Sequence, residues 1–235
     1  MLTLGYNDWA NLGDYLGVVP VYFALYELLK EPFEILLPLD LKKYRGIEDL
    51  FKIQKFCSYC DFIDCGKRYL KFTTLHVDDY DYNCSIPKRT LAFKLGLEQS
   101  LGIKLNLTSK KPLLNIPFKE INSNVSFVGD RTLEAYKRDP RRKYNMLKDS
   151  GLFNTSDFIF LNYNNSVLSI CMDILSSNKP FISTFTGVSV LAHFIGKDID
   201  LYYDKDIEFW ENYNIQQTFS HHYYNDGSAR LININ

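Results

Sequence analysis

Apolar and polar positions along the chain fall into two series of short strands and helices. Leu2–Gly5 is a brief apolar run ending in glycine, and residues 7–13 read as loop. Val18–Leu29 is apolar almost all round, the pattern of a helix buried against a sheet, and Pro20 suits its first turn. Phe33–Leu37 is the next strand, closed by Pro38. Ile47–Phe56 reads as helix, Asp61–Asp64 and Tyr69–Val77 as strands, and Arg89–Leu101 as a helix closed by Gly102. Residues 105–123 carry proline, Asn and Ser with little periodicity. A domain boundary is expected there, giving domains 1–115 and 116–235.

The second series is more regular. Val125–Val128, Phe158–Leu161, Pro180–Thr184 and Ile199–Tyr203 read as strands. Between them lie a helix started by Asp139-Pro140 and helices over Val167–Leu175 and Val188–Ile195. A helix over Ile207–Tyr213 follows, then a polar tail from Phe219 and a strand-like Arg230–Ile234. Strands alternating with helices of this length imply parallel βαβ units. The predicted fold class is therefore α/β, with two Rossmann-like domains facing across a cleft.

With 235 residues and 17 each of Tyr and Phe, the chain can bury a substantial core. A net charge of −1 excludes a molecule that is basic overall. No run of about 20 uncharged apolar residues occurs, so no integral membrane segment is expected. No signal peptide is read at the N-terminus. The five Cys form no even framework, which fits reduced thiols and a cytoplasmic location.

Two motifs carry candidate chemistry. The first is Asn11-Leu12-Gly13-Asp14, followed by Pro20 in the apolar helix. Glycine allows a sharp turn off a strand, and the helix start that follows stabilises negative charge. A carboxylate there lies where open α/β sheets bind ligands and can take a proton from an attacking hydroxyl. An N-cap aspartate is the structural alternative. The second motif runs from Ser183 through Thr186-Gly187-Val188-Ser189 to His193. Backbone N–H groups at such a strand-to-helix turn hold phosphate, and the Thr186 and Ser189 hydroxyls add donors. A turn simply capped by Thr186 is the alternative.

Together these motifs resemble the heptosyltransferases, inverting GT-B enzymes of lipopolysaccharide core synthesis. Gly13-Asp14 with Pro20 is similar to that family's N-terminal signature, and Thr186-Gly187-Val188-Ser189-x-Leu191-Ala192 to its donor-binding element. The resemblance implies a compact GT-B-like fold and a nucleotide-diphosphate sugar donor. It also implies a glycan acceptor and Asp14 as catalytic base, with neither metal nor cofactor. The family's Asp and His in the second element are Phe185 and Val190 here. The chain is about a hundred residues shorter than a usual GT-B enzyme.

Residues 131–148 hold seven basic side chains against Glu134 and Asp139. Arg138, Arg141 and Arg142 could neutralise the donor diphosphate. They could instead meet nucleic acid, as in a phage-type transferase acting on a hydroxymethylated DNA base. A solvated basic face is the simpler account. Three other features complete the candidates. Cys57, Cys60 and Cys65 have one pair at zinc-finger spacing but no matched second pair, and read as buried thiols. Asp79 and Asp81 could hold a metal in a GT-A manner or form an acidic loop. His221 and His222, taken as strand neighbours, would point apart and form no ligand pair. A nucleotide- or sugar-phosphate-binding module without transferase activity is the reading from another class.

Overall fold

The computed structural model describes residues 1–107, 114–117, 123–131, 145–204 and 214–234. Its strands form two sheets, both wholly parallel. The first has the order β3-β2-β1-β4, built from β1 (Thr3–Tyr6), β2 (Phe33–Leu37), β3 (Cys57–Phe62) and β4 (Leu70–Phe72). The second has the order β6-β5-β7-β8-β9, built from β5 (Ser126–Gly129), β6 (Phe158–Phe160), β7 (Phe181–Ser183), β8 (Ile199–Tyr203) and β9 (Ala229–Asn233). The helices between them are α1 (Leu12–Leu16), α2 (Val19–Leu29), α3 (Ile47–Lys52), α4 (Lys88–Leu101), α5 (Met146–Asp149), α6 (Val167–Ser176), α7 (Gly187–Phe194) and α8 (Ile215–His222). This is the α/β class that the pattern predicts.

Strand order reverses at β1 in the first sheet and at β5 in the second, as in doubly wound folds. Ligands of such folds bind outside the strand ends at that reversal. The segment after β1 carries Asp14. The second sheet's reversal lies between β5 and β7, and the segment after β7 carries Thr186.

Several predicted elements shift. The loop over residues 7–13 is shorter, because α1 begins at Leu12 with Asn11 as its N-cap. The strand read at Asp61–Asp64 is β3, four residues earlier at its start, with Cys57 and Cys60 buried on it. The polar tail from Phe219 is in fact the end of helix α8. The helix read at Ile207–Tyr213 and the one opened by Asp139-Pro140 lie mainly outside the described residues, with α5 at the latter's end.

Among the described residues a large hydrophobic core reaches both sheets, and a smaller cluster of Val128, Leu147, Phe153 and Ile182 packs on the second sheet alone. The first part of the large core is aromatic: Tyr6, Tyr15, Tyr22, Phe33, Phe51, Phe56, Phe72 and Phe93 are all buried and in ring contact. The two halves meet through three helix pairs, α1 with α7, α3 with α6 and α4 with α8. Asn115 donates its N–H to Gln54 Oε1 (2.8 Å), while Leu114 donates to Phe194 O (3.0 Å), so the connector is held to both halves. Leu12–Leu29 is long and apolar enough to cross a membrane by composition alone, a test that buried core helices also pass. Most of that stretch is buried inside the protein, in the aromatic core.

Candidate active site

Asp14 stands in the first turn of α1, directly after β1. Its neighbour Tyr15 fixes the helix. That ring is fully buried, lies edge-on to Phe51 and Phe93, and shares a hydrogen bond with Tyr22 through their hydroxyls (3.1 Å). Burial pushes the Tyr15 phenol well above its ordinary range. Asn11 accepts from Lys43 Nζ at 3.3 Å and makes no side-chain cap. Asp14 turns away from this core and is 24% exposed at its side chain, open enough to meet a ligand.

Gly13 and Gly187 bring the two motifs into contact. A methyl group on Gly13 would stand 3.2 Å from Gly187 Cα. One on Gly187 would stand 3.0 Å from Gly13 N and 3.1 Å from Leu12 Cβ. Only two residues without Cβ let α1 and the start of α7 approach this closely without displacement.

The Thr186–Ser189 turn is a capping box. Thr186 Oγ1 accepts from Ser189 N (3.2 Å), and Ser189 Oγ accepts from Thr186 N (2.9 Å). Ser189 is buried, and its hydroxyl also bonds Tyr223 (2.6 Å). Thr186 thus fills the capping role, and both hydroxyls are engaged within the fold. The N–H groups of Gly187 and Val188 belong to the first helical turn, which α7 itself does not satisfy. Below them His193 Nε2 accepts from Tyr224 N (2.8 Å), tying the segment after α8 to α7.

Sequence reasoning missed two histidines here. His221 and His222 occupy the last turn of α8 rather than a strand, so they do not point to opposite faces. His222 Nε2 lies 3.9 Å from Asp14 Oδ1. One ligand atom each from Asp14, His221 and His222 fall within 4.8 Å of one another, and all three residues are half-buried. Burial lowers the His221 pKa to about 3, helped by the neighbouring His222, Arg89 and Lys88 and opposed by Asp14. At neutral pH it is an uncharged imidazole. A sequence signal for α8 exists: Asn214 and Gln217 form a capping box, Asn214 Oδ1 accepting from Gln217 N (2.9 Å).

Among the described residues, the remaining candidates do not join this group. Arg138, Arg141 and Arg142 lie outside the described residues. Asp78, Asp79 and Asp81 sit in an exposed loop, where Asp81 accepts from Asn83 N (2.9 Å). Cys57, Cys60 and Cys65 form no metal-capable group among the described residues.

Comparison with known proteins adds a structural match. No protein-family model and no curated protein matches the sequence. The structure of E. coli heptosyltransferase WaaC with ADP superposes with a TM-score of 0.62 at 10% identity, over 99% of this chain and 93% of that one. The chain shares its two-sheet α/β fold with that protein. A second WaaC structure, with ADP-2-deoxy-2-fluoro heptose, gives a TM-score of 0.56 at 11% identity over 90% and 91% of the two chains. The alignment reaches across nearly all of both proteins, so both halves of the heptosyltransferase fold are present despite the short chain.

Proposed function

We propose that the protein is a glycosyltransferase that moves a sugar from a nucleotide-diphosphate donor to an acceptor hydroxyl, by single displacement with inversion and without a metal. The observation that carries this reading is the contact of Gly13 with Gly187, which sets Asp14 beside the Thr186–Ser189 turn within a heptosyltransferase fold. Asp14 takes the proton of the acceptor hydroxyl as its oxygen attacks the anomeric carbon. The bond from that carbon to the diphosphate breaks on the opposite face, and the electron pair leaves with the diphosphate. The Gly187 and Val188 N–H groups, at the positive end of α7, receive the diphosphate. From the sequence alone, Arg138, Arg141 and Arg142 are the basic residues that would neutralise the departing diphosphate. Five free cysteines fit the cytoplasmic location that belongs to this reading.

The test begins with thermal shift against nucleotide diphosphates and their sugars, since ligand binding to the folded state raises the melting temperature. Transfer from the stabilising donor is then measured. Asp14→Asn is expected to lower turnover by about 10²–10⁴-fold while nucleotide binding persists. Wild-type turnover in that variant removes Asp14 as base. Steep loss of acceptor binding with added salt would mark DNA over a glycan.

A second reading, a nucleotide-binding module without transfer, is favoured by two observations. The Thr186 and Ser189 hydroxyls are engaged in the cap, and Phe185 and Val190 replace the family's Asp and His. Nucleotide binding with no transfer from any donor sugar would select it.

A further inference from the structure

We infer that Asp14, His221 and His222 form a binding site for one divalent transition-metal ion of the zinc or cobalt kind, formed between α1 and α8. The geometry is the first support. His222 Nε2 and Asp14 Oδ1 are 3.9 Å apart, too far for a hydrogen bond. Two ligand atoms on a tetrahedral zinc ion, each about 2.1 Å from the metal, lie about 3.4 Å from one another. The three ligand atoms, all within 4.8 Å of one another, need only small side-chain rotations to close on one ion.

The donor set is the second support. Two imidazoles and one carboxylate match borderline-soft ions such as zinc and cobalt better than calcium or magnesium, which take oxygen shells. Three protein ligands also leave a tetrahedral ion with one open position.

Backbone anchoring is the third support. Both histidines stand on one helical turn whose place is fixed from either side. Tyr80 OH donates to Ser220 O (3.0 Å), and Ser220 Oγ donates to Tyr82 O (2.9 Å). The segment that follows is held by Ser189 through Tyr223 and by His193 through Tyr224. Lys88 and Arg89 at the start of α4 add positive charge near His221. They oppose a cation, so the expected affinity is micromolar, below that of structural zinc sites.

The site shares Asp14 with the proposed transfer reaction and rests on that reading only for the effect on turnover. A bound ion takes up that carboxylate, so under the transferase reading zinc inhibits turnover. The decisive measurement is therefore direct binding. Full-length protein, stripped with chelator, is titrated with zinc by calorimetry and with cobalt by visible absorption. One ion per chain is expected, with cobalt bands of nitrogen–oxygen ligation and a raised melting temperature.

His221→Asn and His222→Asn should each weaken binding by about a hundredfold. Circular dichroism checks that both variants fold, and Asp14→Asn supplies a third variant without a change in helix α8. Absence of saturable binding at micromolar metal overturns the inference. So does binding that survives in all three variants. Metal binding with no transfer from any donor would leave this site standing and defeat the transferase reading. Transfer without metal binding would do the reverse.

Discussion

Tyr15 shows how one residue can hold the candidate base in place. Its hydroxyl and that of Tyr22 satisfy each other inside an aromatic cluster, one residue along from Asp14. Removing one partner leaves the other buried without its bond, whereas removing both leaves no polar group to satisfy. Tyr15→Phe and Tyr22→Phe are each expected to cost about 1–2 kcal/mol, and the double variant less than their sum. Urea unfolding of the four proteins checks this, and an additive double variant would show that the pair is not coupled. The sequence places Asp14 correctly at the start of a helix after β1, because Gly13 and the apolar run that follows mark that turn. His221 and His222 were not legible as partners, because their nearness to Asp14 depends on tertiary packing.

Apolar strands and the two longest helices, of 11 and 14 residues, were read closely. β8 and β2 have the bounds that the pattern gives, and α2 and α4 begin within one residue of them. α8 escaped because Thr218, Phe219 and Ser220 are its buried residues, a mostly polar face set against the polar loop around Tyr80 and Tyr82. Ile215 and Phe219 are its apolar residues among Gln, Thr, Ser and His, so the stretch reads as a polar tail although its apolar residues do share one face. β3 was misplaced for a related reason: its buried positions are Cys57, Cys60 and Phe62, a weaker signal than Val or Ile would give. The start of α7 allows an element-level prediction. Thr186→Ala removes the acceptor for Ser189 N and should lower stability by about 1 kcal/mol. If Thr186 acts only as a cap, nucleotide affinity in a thermal-shift titration stays unchanged; a drop in affinity assigns it a donor contact.

At the scale of the whole molecule, the glycine contact sets how closely the halves approach. Gly13→Val places a branched side chain against Gly187 Cα and the Val190 methyl. Overpacking there is expected to cost about 1–3 kcal/mol. It should also separate Asp14 from the α7 turn, lowering any transfer by more than the stability loss explains. Unfolding and turnover measured on the same preparation check both parts. Equal stability and turnover in the variant would show that the approach is not needed.

Helix α8 returns from the second half to pack on α4 of the first, and so carries His221 and His222 to a residue near the start of the chain. During synthesis on the ribosome, Asp14 and its sheet emerge before the second half of the described chain. The residues that complete its surroundings emerge about 200 positions later, after the last helix of the second half has been made. A nascent chain carries an unfinished site until then, so a metal ion that needs all three side chains is not held early.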